Sequence, residues 1–150
     1  MTVKFRGKSQ MAVSDLINSG IGYKGNGWVE GYLIQQGNDS YIINGVIEAN
    51  SEYISIGEWV PVFTDSVGQF TGLKDSHGVD IYEGDIIKTG ETLDWLNEDI
   101  GVIRFLDGAF FIDYHNLDTE FDYIGNISLP IEVVGNIYEN PELLEGDNDD

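Results

Sequence analysis

Cysteine is absent from this 150-residue chain, which excludes a disulfide framework and a thiolate metal site and gives no sign of an oxidising compartment. Cations are scarce as well: seven Lys and Arg stand against 27 Asp and Glu, a formal net charge of −20. So few bases leave little to neutralise phosphates, the contribution that supplies most non-specific nucleic-acid affinity. No window approaches the roughly 18–20 apolar residues needed to span a bilayer. The basic start Met1 to Lys8 has no apolar segment of signal-peptide type behind it. The expectation is a cytoplasmic protein with no membrane association.

What is present is enough for a core. The length fits one domain, which at this size buries about 68–70% of its unfolded surface, and 18 aromatic residues are available to build it. Charge is unevenly placed. Residues 1–50 hold four acids and four bases, residues 51–100 eleven and two, and residues 101–150 twelve and one. An anionic C-terminal two thirds keeps a protein soluble and self-repelling, the commoner reason for such a charge, or addresses a basic partner.

Period-two patterning dominates. In Thr2 to Lys8, Val3, Phe5 and Gly7 face one side and Lys4, Arg6 and Lys8 the other, the pattern of a half-buried strand. Its lysine-rich face predicts an edge strand protected against unwanted pairing. Met11 to Asn18 predicts a short helix that folds only if docked, being below the ~12–15 residues that are marginal alone. Trp28 to Gln35 is apolar on both faces and predicts a central strand. It makes a hairpin with Tyr41 to Ile47 through the turn Gly37-Asn38-Asp39-Ser40. Short strands continue to Phe63, with Pro61 marking an edge or a strand start.

Residues 67–88 punctuate the middle of the chain. Gly72, Gly78 and Gly84 recur every six residues and predict tight turns joined by very short extended pieces. Asp75 to Gly78 is one turn, with Asp bonding its own backbone and Gly free to take positive φ. Glu83-Gly84-Asp85 is a second. Beyond it, five short strands are expected at 85–89, 102–106, 109–115, 121–127 and 132–138, with Asp107-Gly108 as a primed two-residue hairpin turn. This spacing suggests a small SH3-like barrel, although a sandwich edge has the same signature. Asn140 is expected to cap a helical turn beginning at Pro141. Residues 146–150 form an acidic tail expected to be disordered.

Several of these stretches together resemble the YopX family of phage and prophage proteins. They are Phe5 to Lys8, Trp28 to Leu33, the central run Val67 to Lys88, Gly101 to Phe105, and Val134 to Leu144. The central run and the ending GNIYENPELL are the specific parts. Residues 9–26 and the loop at 90–100 with Trp95 depart from the family pattern. The resemblance implies a phage origin and an all-β fold. It brings no biochemical activity that can be assigned to a residue.

Chemistry is hard to find. With 27 acids, carboxylate pairs arise anywhere, and catalytic pairs are recognised by geometry and perturbed pKa. His77 and His115 lack the spacing of a zinc motif. The aspartates at 94, 99, 113, 118 and 122 do not follow a calcium loop. The expectation is therefore no enzyme, no metal and no cofactor. The fold class is all-β with minor short helices: one YopX-like domain over 1–145, with sub-halves of about 1–66 and 67–145, an N-terminal sheet and an SH3-like C-terminal half. Gly72, Asp75, Gly78, Tyr82, Gly84 and Asp85 are structural turn and connector residues. Trp28, Tyr32, Trp95 and Tyr138 are candidate interface aromatics. The expected action is binding of protein, as a homo-oligomer or to a basic host or phage protein, through an acidic β-rich surface. A nucleic-acid-binding barrel, using Lys4, Arg6, Lys8 and Lys24, is the alternative, and a carboxylate-dependent hydrolase stands last.

Overall fold

The computed structural model describes residues 3–89, 99–114, 121–124 and 130–144. The expectations for Trp95, His115 and the tail at 146–150 lie outside the described residues. The chain is mainly β and divides into two compact units, Met1–Phe70 and Thr71–Asp150.

In the first unit, β1 (Phe5–Lys8), β2 (Trp28–Gln36), β3 (Asp39–Ile43), β6 (Trp59–Val62) and the start of β7 (Gly68–Lys74) form an antiparallel sheet in the order β6-β3-β2-β1-β7. β1 is thus an inner strand, paired to β2 on one side and β7 on the other. This corrects the edge assignment: the cations mark its outward face, and period two says which face is wet but not how many neighbours a strand has. The sheet also rolls. Ser9 bridges Val62, the Phe63 amide donates to the Lys8 carbonyl at 2.9 Å and the Gln10 amide to the Pro61 carbonyl at 2.8 Å.

That approach explains Gly7, where a Cβ would lie 2.8 Å from Val62 Cβ. Pro61 is tolerated in β6 because the link to the residues after β1 uses its carbonyl, which accepts from the Gln10 amide at 2.8 Å, and asks for no N–H from it. On the inner face, Val29, Ile42, Val60 and Val62 bury Leu16 of α1 (Val13–Asn18). The six-residue helix lacks a side-chain cap and is held by this one docked leucine, while Ile17 stays exposed.

Two further strands, β4 (Val46–Ala49) and β5 (Ile54–Ile56), pair only with each other among the described residues. The expected continuous strand Tyr41 to Ile47 is therefore two strands, broken at Asn44-Gly45.

In the second unit, β8 (Asp80–Tyr82) follows β7 in the strand order, and the Thr71 hydroxyl donates to the Ile81 carbonyl at 2.8 Å. A five-stranded antiparallel sheet then runs β12-β11-β10-β9-β13, from β9 (Asp85–Thr89), β10 (Asp99–Leu106), β11 (Ala109–Tyr114), β12 (Phe121–Tyr123) and β13 (Ile131–Asn136). Asp107 and Gly108 take φ of 50° and 83°, both positive as a type I′ hairpin turn requires. Ile81, Ile87, Ile103, Ile112, Tyr114 and Ile124 form the core. Among the described residues β12 and β13 each have one neighbour, so the sheet is open at both ends. Pro141–Leu144 is a 3-10 turn entered from Asn140, whose carbonyl accepts from the Leu143 amide at 3.1 Å and whose Oδ1 accepts from the Asn136 amide at 3.2 Å.

Candidate protein-interaction surface

The central stretch resolves into structural roles. Gly72 lies inside β7 with φ 89° rather than in a turn, so the extended piece there is longer than the glycine spacing implies. Asp75 is 8% exposed and uses both carboxylate oxygens on backbone amides. Oδ1 accepts from His77 at 2.8 Å and Val79 at 2.9 Å, and Oδ2 from Val133 at 2.9 Å. The Ser76 amide adds a bond to the Ile131 carbonyl at 2.9 Å. The turn is thereby pinned to β13.

Burial pushes the Asp75 carboxyl up, but the three amides, with the His77 charge adding, outweigh it and hold the group below the usual carboxylate range. Asp85 is buried and accepts from the Tyr82 amide at 2.7 Å, and Tyr82 is itself buried. Gly78 and Gly84 hold φ of 83° and 91°. Among the described residues no cluster of three or more His, Asp or Glu is placed to hold a metal.

The aromatic candidates separate. Trp28 is half-buried with the Arg6 guanidinium 5.0 Å from its ring centre, Tyr32 is exposed, and Tyr138 is exposed in the second unit. Lys4 lies 4.8 Å from the Phe70 ring centre, and Lys24 pairs with Glu30 at 3.0 Å. Lys4, Arg6 and Lys8 do form a row on the outward face of β1, but Phe70 and Trp28 each receive one of these cations.

The feature that sequence reasoning missed is a projecting arm. β3 and β6 continue as a two-stranded ribbon past the sheet. The Asn44 amide donates to the Glu58 carbonyl at 3.1 Å and the Gly57 amide to the Gly45 carbonyl at 2.8 Å, and β4 then pairs with β5. At the tip, Asn50 Oδ1 accepts from the Glu52 and Tyr53 amides at 2.7 and 3.1 Å, an Asx turn. No third strand joins the ribbon among the described residues. Five of its residues are nonetheless exposed and apolar, Val46, Ile47, Tyr53, Ile54 and Ile56, at 38–73%, beside the acids Glu48 and Glu52.

The outward face of the sheet at the arm's base is of the same kind. Register places Tyr32, Ile43 and Trp59 side by side, and Ile34, Tyr41 and Pro61 beside them. Tyr32, Ile34 and Trp59 are exposed, and Tyr41 meets Trp59 edge-on at 5.7 Å. Ile34, Tyr41, Ile43, Ile56 and Trp59 line a shallow groove of about 270 Å³. A larger one of about 660 Å³ includes Met11, Ile21, Ile47, Ile56 and Trp59. Glu58 is the one charged residue lining either groove. Such a surface offers apolar contact and strand edges, while two acids, Glu30 and Glu58, line a separate groove of about 170 Å³.

The signal for the arm was present as Gly45 and Gly57 bracketing a short apolar hairpin. Alternation of apolar residues predicts strand continuation and does not distinguish a covered face from an open one.

Comparison with known proteins agrees with this architecture. The family model described as YopX protein matches residues 8–145. The SPbeta prophage-derived uncharacterized protein YopX of Bacillus subtilis strain 168 is 36% identical over 69 residues, 44% of this chain and 51% of that protein. The match thus spans about half the length of that relative. The crystal structure of protein EF1440 from Enterococcus faecalis superposes with a TM-score of 0.57 at 28% identity, covering 96% of this chain and 99% of that one.

Proposed function

The chain belongs to the YopX protein family, and from that premise we propose that it is a phage or prophage accessory protein that works by binding protein. The prophage origin of the Bacillus relative supports the setting, and the host cytoplasm is the corresponding location. The observation that carries the binding role is the arm. A ribbon of two strands with apolar residues in water, continuous with an open aromatic face, leaves uncovered what a folded chain ordinarily buries. The acidic surface then serves solubility and partner choice.

The test is recovery of bound protein, own copies included, by the tagged wild type and by an Ile47→Ser, Ile54→Ser variant in host cells carrying the prophage. The wild type retains a partner that the variant loses. A partner held equally by both contradicts the role given to the arm.

For the second unit, five consecutive short antiparallel strands with a type I′ hairpin support an SH3-like reading of that half. One observation favours a nucleic-acid role, the row of Lys4, Arg6 and Lys8 on the outward face of β1. The rings of Phe70 and Trp28 already receive Lys4 and Arg6, which weakens their use as stacking platforms. Absence of any mobility shift with single or double strands at low salt disposes of it. The hydrolase reading has least support: a third groove, of about 170 Å³, does bring two acids, Glu30 and Glu58, into one lining, but Glu30 is paired with Lys24 at 3.0 Å and Glu58 accepts from the Asn44 side-chain amide at 3.3 Å.

A further inference from the structure

We propose that the occupant of the arm is a second copy of this chain, each arm lying against the apolar grooves at the base of the other's. This rests on the protein-binding reading and names the partner.

Three observations point to a copy. The first is area. At about 150–250 Å² per large side chain, the eight exposed apolar residues of the arm and the adjoining sheet face leave on the order of 800 Å² in water. That exceeds the roughly 300–600 Å² of the largest patch on a typical monomer. It matches the ~800 Å² that each partner contributes to a standard interface. The second is shape. The same unit carries both a projecting apolar ribbon and concave apolar grooves beside it, sharing Ile56 and Trp59. Self-complementarity of one patch is what a two-fold interface requires.

The third is charge. Residues 1–70 hold seven acids and four bases, whereas residues 71–150 hold twenty and three. The patch therefore sits on the less charged unit, and the arm's own acids, Glu48, Glu52 and Glu58, set a local repulsion that salt screens. A strongly basic partner would be drawn to the other unit. Ribbon pairing also has a stability motive, because two strands alone are marginal in water and a third strand or a packed face stabilises them.

Sedimentation velocity of the full chain from 1 to 100 μM tests this, with Ile54→Glu as the arm variant and Val79→Glu, exposed in the second unit, as the control. Wild type and V79E are expected to sediment above the 16.7 kDa monomer, and I54E at the monomer mass with an unchanged circular dichroism spectrum. A second arm variant, Ile47→Glu, is expected to act alike. A wild type that is monomeric at 100 μM, or an assembly that I54E and I47E leave intact, overturns the proposal. If the wild type is monomeric yet still captures a different protein through the arm, only the identity of the occupant falls. Loss of both the assembly and the arm-dependent capture removes the binding reading as well.

Discussion

Asp75 accepts three backbone amides from two separate segments, so it does for the second unit what a short cross-link would. Replacing it with Asn sets a side-chain N–H₂ against a backbone N–H and leaves a buried donor unpaired, at a cost of about 1–3 kcal/mol. The pH dependence follows from the direction of its pKa. A carboxyl held below its usual range contributes stability that is present above the unfolded value and is lost as pH falls through the folded one. Urea midpoints of the wild type should fall below about pH 4, and those of Asp75→Asn should fall less over the same window.

Gly78 gives a cleaner test of conformation alone. Its φ is 83° and a Cβ there meets nothing within 4 Å, so Gly78→Ala should cost on the order of 1–2 kcal/mol from backbone strain only. An unchanged melting temperature would refute the left-handed turn. This turn was legible because Asp and Gly act locally through their own backbone. The bond from Val133 to Asp75 was not, because it joins residues 58 positions apart.

At the scale of elements, the alternation that located β1, β2 and β6 is a property of each strand by itself. It indicates which side chains point the same way, and so it sorted Lys4, Arg6 and Lys8 from Phe5 and Gly7 correctly. It carries no information on neighbours, and for that reason the pattern predicts an edge for β1 although β2 and β7 flank it. Gly7 records the missing information indirectly. Adding a methyl group there collides with Val62 at 2.8 Å. Gly7→Ala should therefore destabilise the first unit by about 1–3 kcal/mol through overpacking, measurable as a lower denaturation midpoint.

The arm shows the opposite behaviour. Its side chains are exposed, so Ile54→Ser should shift folding stability by no more than about 0.5 kcal/mol while weakening association. A large loss of stability in the isolated monomer would mean that Ile54 is part of the core. The arm escaped sequence reasoning because hydrophobic residues promise burial without saying in which molecule they are buried.

For the whole molecule, the balance is between an apolar patch that favours association and a net charge of −20 that opposes it. Salt decides between the readings because it acts on them with opposite sign. Like-charged copies repel less when the Debye length shrinks from about 10 Å at 0.1 M to about 3 Å at 1 M, so self-association should tighten as sodium chloride is added. Binding of nucleic acid would weaken over the same range by counterion release. Light scattering across that series reads the difference directly. Composition had already shown that charge would matter, but not that it is concentrated on one unit while the open apolar surface lies on the other. The most direct measurement is amide hydrogen exchange across residues 46–56 as a function of protein concentration, with the core amides of Ile87 and Ile103 as internal reference. Arm protection that rises with concentration and disappears in Ile54→Glu is the predicted result. Arm amides that exchange at one concentration-independent rate in both proteins would contradict it.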